Sequence, residues 1–229
     1  MIEVRDVSRF YTRGVDVVHA LERVTLTIPG GRFVALMGPS GSGKSTLLNL
    51  LAGLDRPDAG EVVVAGQALS RLDEDGLAAW RARHVGFVFQ FYNLLPVLTA
   101  IENVELPLLL TDLPRAERRR RAEIALAAVG IPGRAHHRPH QLSGGEQQRA
   151  AIARAIVTDP DLIVADEPTG DLDAKSAVAI LNLLKELNRA FEKTIVMVTH
   201  DHRAEPFVDM VLRLDKGVLV NGASAPAPA

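Results

Sequence analysis

Residues 38–46 read GPSGSGKST, and this segment constrains the fold more than any other part of the chain. It follows a continuous apolar run over residues 33–37 (FVALM) and precedes a helical pattern over residues 47–51 (LLNLL). Continuous apolar runs are typical of buried parallel strands. Glycine-rich loops between a strand and a helix turn successive backbone N–H groups toward a bound phosphate. The sequence therefore predicts a strand, a phosphate loop and a helix in succession.

The loop has the residues that a nucleoside triphosphate requires. Its glycines, lysine and serine match the spacing G-x-x-x-x-G-K-[ST]. The lysine brings a mobile positive charge to the β- and γ-phosphates, and the serine hydroxyl can bind Mg²⁺. We therefore expect ATP and Mg²⁺ as ligands, with Lys44 also taking part in catalysis. The expected nucleotide contacts are Gly38, Pro39, Ser40, Gly41, Ser42, Gly43, Lys44, Ser45 and Thr46.

Short apolar runs alternate with helical patterns along most of the chain, which predicts an α/β fold with a mostly parallel sheet. One helix should bury the face formed by Ala177, Ile180, Leu181, Leu184 and Leu187, which recur at helical spacing. The strands of the sheet are expected at residues 33–37, 62–65, 85–89, 162–165 and 194–198.

Two regions depart from this alternation. Residues 2–7 and 24–28 resemble strands with no helix between them, which predicts an antiparallel β subdomain. Prolines punctuate helical stretches further along, and we expect a helical subdomain inserted at about residues 93–157. The chain should form a single nucleotide-binding domain over residues 1–222, followed by a disordered tail at 223–229 (ASAPAPA).

Polar residues follow two of the predicted strands. The run LIVADE ends in Asp166 and Glu167, and the run TIVMVTH ends in His200. Ligands of open α/β sheets bind at the carboxyl ends of the strands. Asp166 would hold Mg²⁺, Glu167 would point the other way along the pleat and polarise the attacking water, and His200 would donate to the γ-phosphate. The alternatives are a strand that ends in solvated acids and an incidental histidine.

Gln90 and a second glycine turn extend the predicted site. Gln90 ends the strand VGFVF and could bind a Mg²⁺-bound water, so we place it among the catalytic and metal-binding residues, although an ordinary amide is equally compatible. Ser143, Gly144 and Gly145 precede a helix whose N-terminus could bind an anion. Ser143 could instead only cap that helix. Two phosphate sites with one phosphate loop suggest that the second serves another subunit's nucleotide.

Two further features have open interpretations. Tyr11 could stack on adenine, or it could be an ordinary packing tyrosine. Arg118–Arg121 form a basic run that is most simply a solvated helix face. Contact with anionic lipid headgroups or an acidic partner is the alternative.

Composition limits the partners. The formal net charge is −2, so the chain lacks the basic surface that nucleic-acid binding requires. It has no cysteine, which excludes disulfides and thiol catalysis. No apolar run approaches the roughly 20 residues of a membrane span, and the first residues lack a secretory core. We expect a cytoplasmic protein that binds no nucleic acid.

Taken together, these motifs resemble those of the ATP-binding cassette ATPases over residues 2–220. GPSGSGKST is similar to their Walker A segment, LIVADE to Walker B, and LSGGEQQR (142–149) to their signature. The resemblance implies a Q-loop at Gln90, an H-loop at His200 and a D-loop at 170–173. It also adds Glu146 and Asp171 to the nucleotide contacts. It implies two copies packed head-to-tail, with ATP between the phosphate loop of one and the Ser143–Gly145 turn of the other.

Finer matches indicate a subfamily. The stretches GFVFQFYNLLPVLTAIENVELPL and ADEPTG are similar to the macrolide-exporter, lipoprotein-release and cell-division group. That resemblance implies an integral membrane permease with a large extracytoplasmic domain, and a peripheral location on the inner membrane face. We expect the permease to dock near Gln90, Phe91, Tyr92 and residues 94–96. Asp171, Arg32 and Glu146 depart from the residues usual in the group.

Other classes remain open at this point. A non-transport cassette ATPase would act on DNA or ribosomes, but DNA-repair relatives carry a long coiled coil where only 95 residues separate Thr46 from Leu142 here. Ribosome-acting relatives usually hold two cassettes in one chain. A regulatory module that binds ATP without hydrolysis is less compatible with the presence of Glu167 and His200.

Overall fold

The computed structural model describes residues 1–14 and 16–220, so the predicted tail at 223–229 lies outside the described residues. The strands, in chain order, are β1 (Ile2–Arg13), β2 (Asp16–Ile28), β3 (Phe33–Met37), β4 (Ala59–Val64), β5 (Gln67–Ala68), β6 (Val85–Val88), β7 (Leu162–Asp166), β8 (Thr194–Val198), β9 (Met210–Asp215) and β10 (Val218–Leu219). The α-helices are α1 (Lys44–Leu51), α2 (Glu74–His84), α3 (Ala100–Glu105), α4 (Arg115–Ala128), α5 (Gly144–Ile156) and α6 (Ala174–Phe191).

A six-stranded sheet forms the centre of the molecule, in the order β10-β9-β3-β8-β7-β6. All neighbours from β9 to β6 are parallel, and only β10 pairs antiparallel. The prediction of a mostly parallel sheet is therefore confirmed. Parallel strands end on a common edge, which brings the residues after β3, β7 and β8 to one side of the molecule.

A second sheet, in the order β2-β1-β4-β5, is antiparallel, and its β1 and β2 are the two strands expected there. The run at 62–65 was expected in the parallel sheet, and that prediction is wrong, because the run lies in β4 and pairs antiparallel with β1. The first two strands of this sheet are much longer than the predicted 2–7 and 24–28. Register shifts between Val4 and Phe10 interrupt the pairing, and Asp6 and Arg23 have positive φ angles. Such bulges break the two-residue alternation that identifies a strand.

The chain between β6 and β7 is helical. All residues from 89 to 161 are described, and none of them lies in a strand. Helices α3, α4 and α5 pack against one another here, and the buried residues of all three belong to one core. Thr99 caps α3 through a capping box with Glu102, which fixes where the helical segment begins.

Alternation along the central strands divides the interior into two cores. In β3, Phe33 and Ala35 face one core, and Val34 and Leu36 face the other. The first core joins the sheet to α3–α6, and the second joins it to α1 and the antiparallel sheet. Helix α6 buries the predicted residues in the first core: Ala177, Ile180, Leu181, Leu184 and Leu187.

The second core holds the chain's one tryptophan, Trp80. Its side chain is 7% exposed and stacks on His84 with the ring centroids 5.5 Å apart. Gly53, just after α1, is so close that an added Cβ would lie 3.5 Å from the indole ring. The tryptophan therefore packs behind the helix that begins at the phosphate loop.

Among the helices of the described chain, none combines the length and the apolar character that crossing a bilayer would need.

Candidate nucleotide-binding site

The phosphate loop after β3 needs glycine at two positions in particular. Gly38 has φ +151° and Gly43 has φ +97°, which L-residues with side chains rarely adopt. A Cβ at Gly38 would lie 2.0 Å from the carbonyl oxygen of Leu214, and one at Gly43 would lie 2.3 Å from that of Ala20. Close packing against β9 and β2 therefore fixes the path of the loop.

Lys44 is the first residue of α1 and is buried. Its Nζ donates to the carbonyl oxygens of Gly38 and Pro39, both at 2.8 Å, so the loop encircles the ammonium group. The cap residue of α1, Gly43, supplies no side-chain hydrogen bond, and the first turn has no acidic residue. The unpaired N–H groups of that turn and the positive end of the helix favour an anion beside Lys44.

Asp166 and Ser45 meet at the carboxyl edge of the sheet. The Ser45 hydroxyl lies near the half-buried Asp166 carboxylate, at the end of β7. Burial, together with the negative charge of Glu167, raises the pKa of Asp166 above its usual value, while the Ser45 hydroxyl and the Lys44 charge oppose the rise. A positive ion at this position would reduce the electrostatic repulsion between the adjacent Asp166 and Glu167 carboxylates.

Glu167 lies just beyond β7 in a left-handed conformation, with φ +46°. Its N–H donates to the carbonyl oxygen of Val198, and its Oε1 lies 2.9 Å from Nδ1 of His200. The left-handed backbone, rather than the strand pleat that we expected, therefore determines where the Glu167 side chain goes. The His200 side chain is 75% exposed. Together, His200 and Glu167 line part of an open cleft of about 470 Å³.

Gln90 follows β6 and lies against the 170–173 segment. A Cβ at Gly170 would be 2.9 Å from Nε2 of Gln90, so a side chain at residue 170 would displace the glutamine side chain from this position. This contact brings Gln90 to the same edge of the sheet as Asp166 and Glu167.

The side chains expected to bind Mg²⁺ carry the kind of ligand atoms that this ion prefers. Ser45, Asp166 and Gln90 offer a hydroxyl, a carboxylate and an amide oxygen, and Mg²⁺ prefers oxygen ligands supplemented by water and phosphate. Burial and the adjacent Glu167 charge raise the pKa of Asp166, so a cation at this position would stabilise its ionised carboxylate. These residues therefore fit a magnesium ion.

The turn before α5 is a helix cap. The Ser143 hydroxyl accepts from the N–H of Glu146, and the Glu146 carboxylate accepts from both the N–H and the hydroxyl of Ser143. Arg134 donates to the other carboxylate oxygen at 2.7 Å. The Ser143 backbone N–H and the Arg134 guanidinium lower the pKa of Glu146. The cap is thus present, and Gly144 and Gly145 leave the first turn without side chains.

Within the described residues, no hydrogen bond joins the Ser143–Gly145 turn to the Lys44 loop. The structure thus brings Lys44, Ser45, Asp166, Glu167 and His200 to one sheet edge, with Gln90 beside them. The second turn lies in the helical segment.

Tyr11 lies in the antiparallel sheet with its ring already held. Its hydroxyl donates to Asp55 at 2.7 Å, and the Arg9 guanidinium lies 4.7 Å from the ring centroid. Arg9 also pairs with Asp55 at 2.8 Å. Arg9 covers one face of the ring and Tyr11 is 37% exposed, so the other face is the candidate surface for stacking on a flat ligand.

Internal partners account for the basic run on α4. Arg120 and Arg121 both pair with Glu117 and lower the pKa of Glu117 to about 2. Arg119 pairs with Glu105, and Arg118 donates to the carbonyl oxygen of Leu113. These contacts favour the interpretation of a solvated helix face.

The structure reveals one site residue that the sequence reasoning missed. Gln148 is fully buried on α5, and its Nε2 donates to the carbonyl oxygens of Pro168 at 2.7 Å and Phe89 at 3.4 Å. It therefore ties the chain after β7 to the chain after β6. The available signal was its helical spacing with the apolar Ile152 and Ala155, which places an amide on a buried face.

A phosphate loop followed by a carboxylate-ended strand and a histidine-ended strand defines a P-loop ATPase. The sequence model of the ABC transporter family matches residues 21–170, and the chain belongs to this family. It is an ATPase of the family's ATP-binding cassette type.

Curated relatives and solved structures narrow the similarity. The chain is 48% identical to the lipoprotein-releasing system ATP-binding protein LolD of Chromohalobacter salexigens, over 97% of this chain and 94% of LolD. It is 49% identical to the macrolide export ATP-binding/permease protein MacB of Hyphomonas neptunium, over 96% of this chain but only 34% of MacB. The chain thus spans about a third of MacB's length. The dimeric cassette MJ0796 of Methanocaldococcus jannaschii, bound to ADP and phosphate, superposes over the full length of both chains with a TM-score of 0.89 and 43% identity.

Proposed function

We propose that this chain dimerises around two ATP molecules and uses their hydrolysis to drive a membrane permease of the MacB or LolD type. The observation that carries the proposal is the 2.9 Å contact between Glu167 and His200, beside Asp166 and Ser45 at the edge where β3 delivers the phosphate loop. The candidate general base Glu167, the histidine that would donate a hydrogen bond to the γ-phosphate, and the candidate metal-binding pair of Asp166 and Ser45 thus lie together.

Binding of ATP uses groups that are already in place. The phosphates would lie over the first turn of α1, where they replace the carbonyl oxygens of Gly38 and Pro39 as partners of the Lys44 ammonium. The free face of the Tyr11 ring would stack on adenine. Ser45, Asp166 and Gln90 would hold Mg²⁺, which neutralises charge on the β- and γ-phosphates when it is bound.

Glu167 orients the water that attacks the γ-phosphorus. The water oxygen forms a new P–O bond, the bond to the β-phosphate oxygen breaks, and ADP leaves with that electron pair. The carboxylate of Glu167 accepts a hydrogen bond from the water and takes up its proton. In the imidazolium form both nitrogens of His200 donate, so Nδ1 can keep its bond to Glu167 while Nε2 reaches a γ-phosphate oxygen. Lys44 stabilises the growing negative charge.

The proposed dimer follows from the separation of the two anion sites. The Ser143–Gly145 turn is not bonded to the Lys44 loop of its own chain, which supports a role toward the nucleotide of a second copy. The dimeric state of the similar cassette bound to ADP and phosphate also supports this arrangement. Hydrolysis would remove the γ-phosphate that both subunits share, and the pair would then open.

The exposed apolar side chains after Gln90 support a permease contact. Phe91 is 68% exposed and Val97 is 72% exposed, and Leu95 is also exposed. Exposed apolar side chains concentrated in one short segment favour an interaction site there. The names of the relatives, a lipoprotein-releasing system and a macrolide export permease, are consistent with a membrane partner, which would hold this chain at the membrane surface.

The test is Glu167→Gln with ATP and Mg²⁺. Loss of a general base costs about 100-fold or more in rate, so hydrolysis should nearly cease while ATP stays bound and a dimer accumulates in sedimentation. In that dimer, cysteines introduced at Ser40 and Ser143 should crosslink between chains, and the chain has no native cysteine to confuse the result.

The matched control is Glu186→Gln, an exposed acid on α6, which should hydrolyse ATP like the unmodified chain. Lys44→Ala should lose turnover. A Glu167→Gln chain that stays monomeric in excess ATP, or that still hydrolyses it at the normal rate, would contradict the proposal.

A further inference from the structure

Two consecutive residues after Gln90 have backbone conformations that side chains disfavour. Tyr92 has φ +58° and Asn93 has φ +50°. A left-handed conformation costs about 1–2 kcal/mol for a residue with a Cβ. Neither position is glycine, so surrounding contacts must hold this turn in place.

Arg154 of α5 supplies those contacts. Its guanidinium donates to the carbonyl oxygens of Tyr92, at 2.7 Å, and of Asn93. Burial lowers the pKa of Arg154 below its usual value, and within the described chain no carboxylate forms an ion pair with it. A half-buried arginine whose hydrogen bonds go to two carbonyl groups fixes both the position and the direction of the strained turn.

The turn aims the Tyr92 side chain at two other segments. The phenol hydroxyl donates to Oδ2 of Asp171 at 3.3 Å. A Cβ at Gly144, the first residue of α5, would lie 3.0 Å from the same hydroxyl oxygen. Burial and the Asp171 carboxylate raise the pKa of Tyr92, so the phenol keeps the proton with which it donates.

We propose that Tyr92 is a positioning residue that holds residues 170–173 and the start of α5 in register with the turn after Gln90. The proposal rests on the proposed function, in which the start of α5 faces the nucleotide of the partner subunit. Tyr92 touches neither Lys44 nor Ser45. Its hydroxyl therefore serves the assembly of the closed dimer rather than the binding of ATP to one chain.

The test removes one hydroxyl hydrogen bond at a time. A hydrogen bond between neutral groups is worth about 0.5–1.5 kcal/mol. Tyr92→Phe should therefore lower kcat about threefold to tenfold and leave KM for ATP within about twofold. Thr111→Val is the matched control, because its hydroxyl donates to the carbonyl oxygen of Leu108 at 2.6 Å, outside the site, and it should leave kcat unchanged.

A double-mutant cycle distinguishes loss of the Tyr92–Asp171 hydrogen bond from a general destabilisation of the fold. Asp171→Ala should lower kcat as much as Tyr92→Phe, and the two together should cost no more than either alone. Asp171→Asn keeps an acceptor oxygen and should restore most of the rate. Full additivity of the two changes, or an unchanged kcat in Tyr92→Phe, would overturn the proposal.

Amide hydrogen exchange of residues 170–173 without nucleotide provides a readout that needs no activity. Exchange there should accelerate in Tyr92→Phe and not in the control Thr111→Val. If the unmodified chain fails to hydrolyse ATP, the proposed function is wrong, and the exchange result alone then decides whether Tyr92 positions residues 170–173. Unaltered exchange in Tyr92→Phe would contradict that positioning role.

Discussion

Single residues with unusual backbone angles determine the geometry of the site. Gly38 and Gly43 let the phosphate loop pass against neighbouring carbonyl groups, and Glu167 reaches His200 from a left-handed position beyond β7. Residues other than glycine keep a left-handed backbone conformation only where surrounding contacts compensate its free-energy cost. The N–H of Glu167 has such a contact, since it donates to Val198 on the neighbouring strand.

The contrast between two loop glycines gives a prediction. Gly38→Ala should destabilise the fold by more than about 4 kcal/mol, because its Cβ would overlap the Leu214 carbonyl oxygen at 2.0 Å. Gly41→Ala meets no atom within 4 Å and has φ +75°, so it should cost only about 1–2 kcal/mol. Urea unfolding of both variants measures the difference, and equal losses would contradict the packing argument.

The place of most candidate site residues in the fold could be predicted from sequence, but their contacts could not. Lys44, Asp166 and His200 follow apolar runs, so their place at one sheet edge follows from strand direction alone. The contacts of Arg154 and Gln148 depend on which carbonyl groups lack partners in the folded chain. No local pattern contains that information.

At the scale of elements, the buried parallel strands were predictable and the edge of the antiparallel sheet was not. Strands β3, β7 and β8 are continuous apolar runs. In the outer half of β1 and β2, side chains such as Val17 and Val18 are exposed, and bulges break the alternation. β9 was missed because Arg213 and Asp215 interrupt its apolar run, although it pairs with β3.

The cap of α5 leads to a pH prediction. The pKa of Glu146 lies below its ordinary value of 4.5 in the folded chain, so its contribution to stability is present above about pH 4.5 and is lost as the pH falls through the lowered pKa. Glu146→Gln keeps an acceptor oxygen but cannot titrate. Its unfolding free energy should therefore fall less on acidification than that of the unmodified chain.

Urea unfolding at several pH values between neutral and acid gives the comparison. Arg134→Ala serves as a second variant, because it removes one of the groups that lower the pKa of Glu146 while the Ser143 bonds remain. Parallel pH curves for Glu146→Gln and the unmodified chain would show that the cap does not titrate with folding.

At the scale of the whole molecule, the central sheet separates two cores with different tasks. One core supports the phosphate loop through α1, and the other carries the helical segment with its exposed apolar side chains. The existence of the helical segment followed from its prolines and the absence of a strand pattern. Its packing against the sheet could not be predicted in this way, because it depends on tertiary contacts.

The exposed segment after Gln90 gives a prediction for the intact cell. Phe91→Ser removes an aromatic anchor, and loss of such an anchor typically costs more than about 1–2 kcal/mol at an interface. The share of the chain in the membrane fraction should fall severalfold, while the ATPase rate of the purified chain stays unchanged. Val178→Ser, at an exposed apolar residue on α6, is the matched control. An unchanged membrane share for Phe91→Ser would contradict the proposed permease contact at this segment.

The position of Trp80 has a practical consequence. Because it is the chain's one indole and packs against the residue that follows α1, ultraviolet emission comes chiefly from behind the phosphate loop. Its wavelength and intensity then track events at that helix with no attached dye. A titration followed by emission would therefore separate nucleotide arrival in one chain from the later meeting of two chains, since the indole lies in the core next to α1 and away from the helical segment.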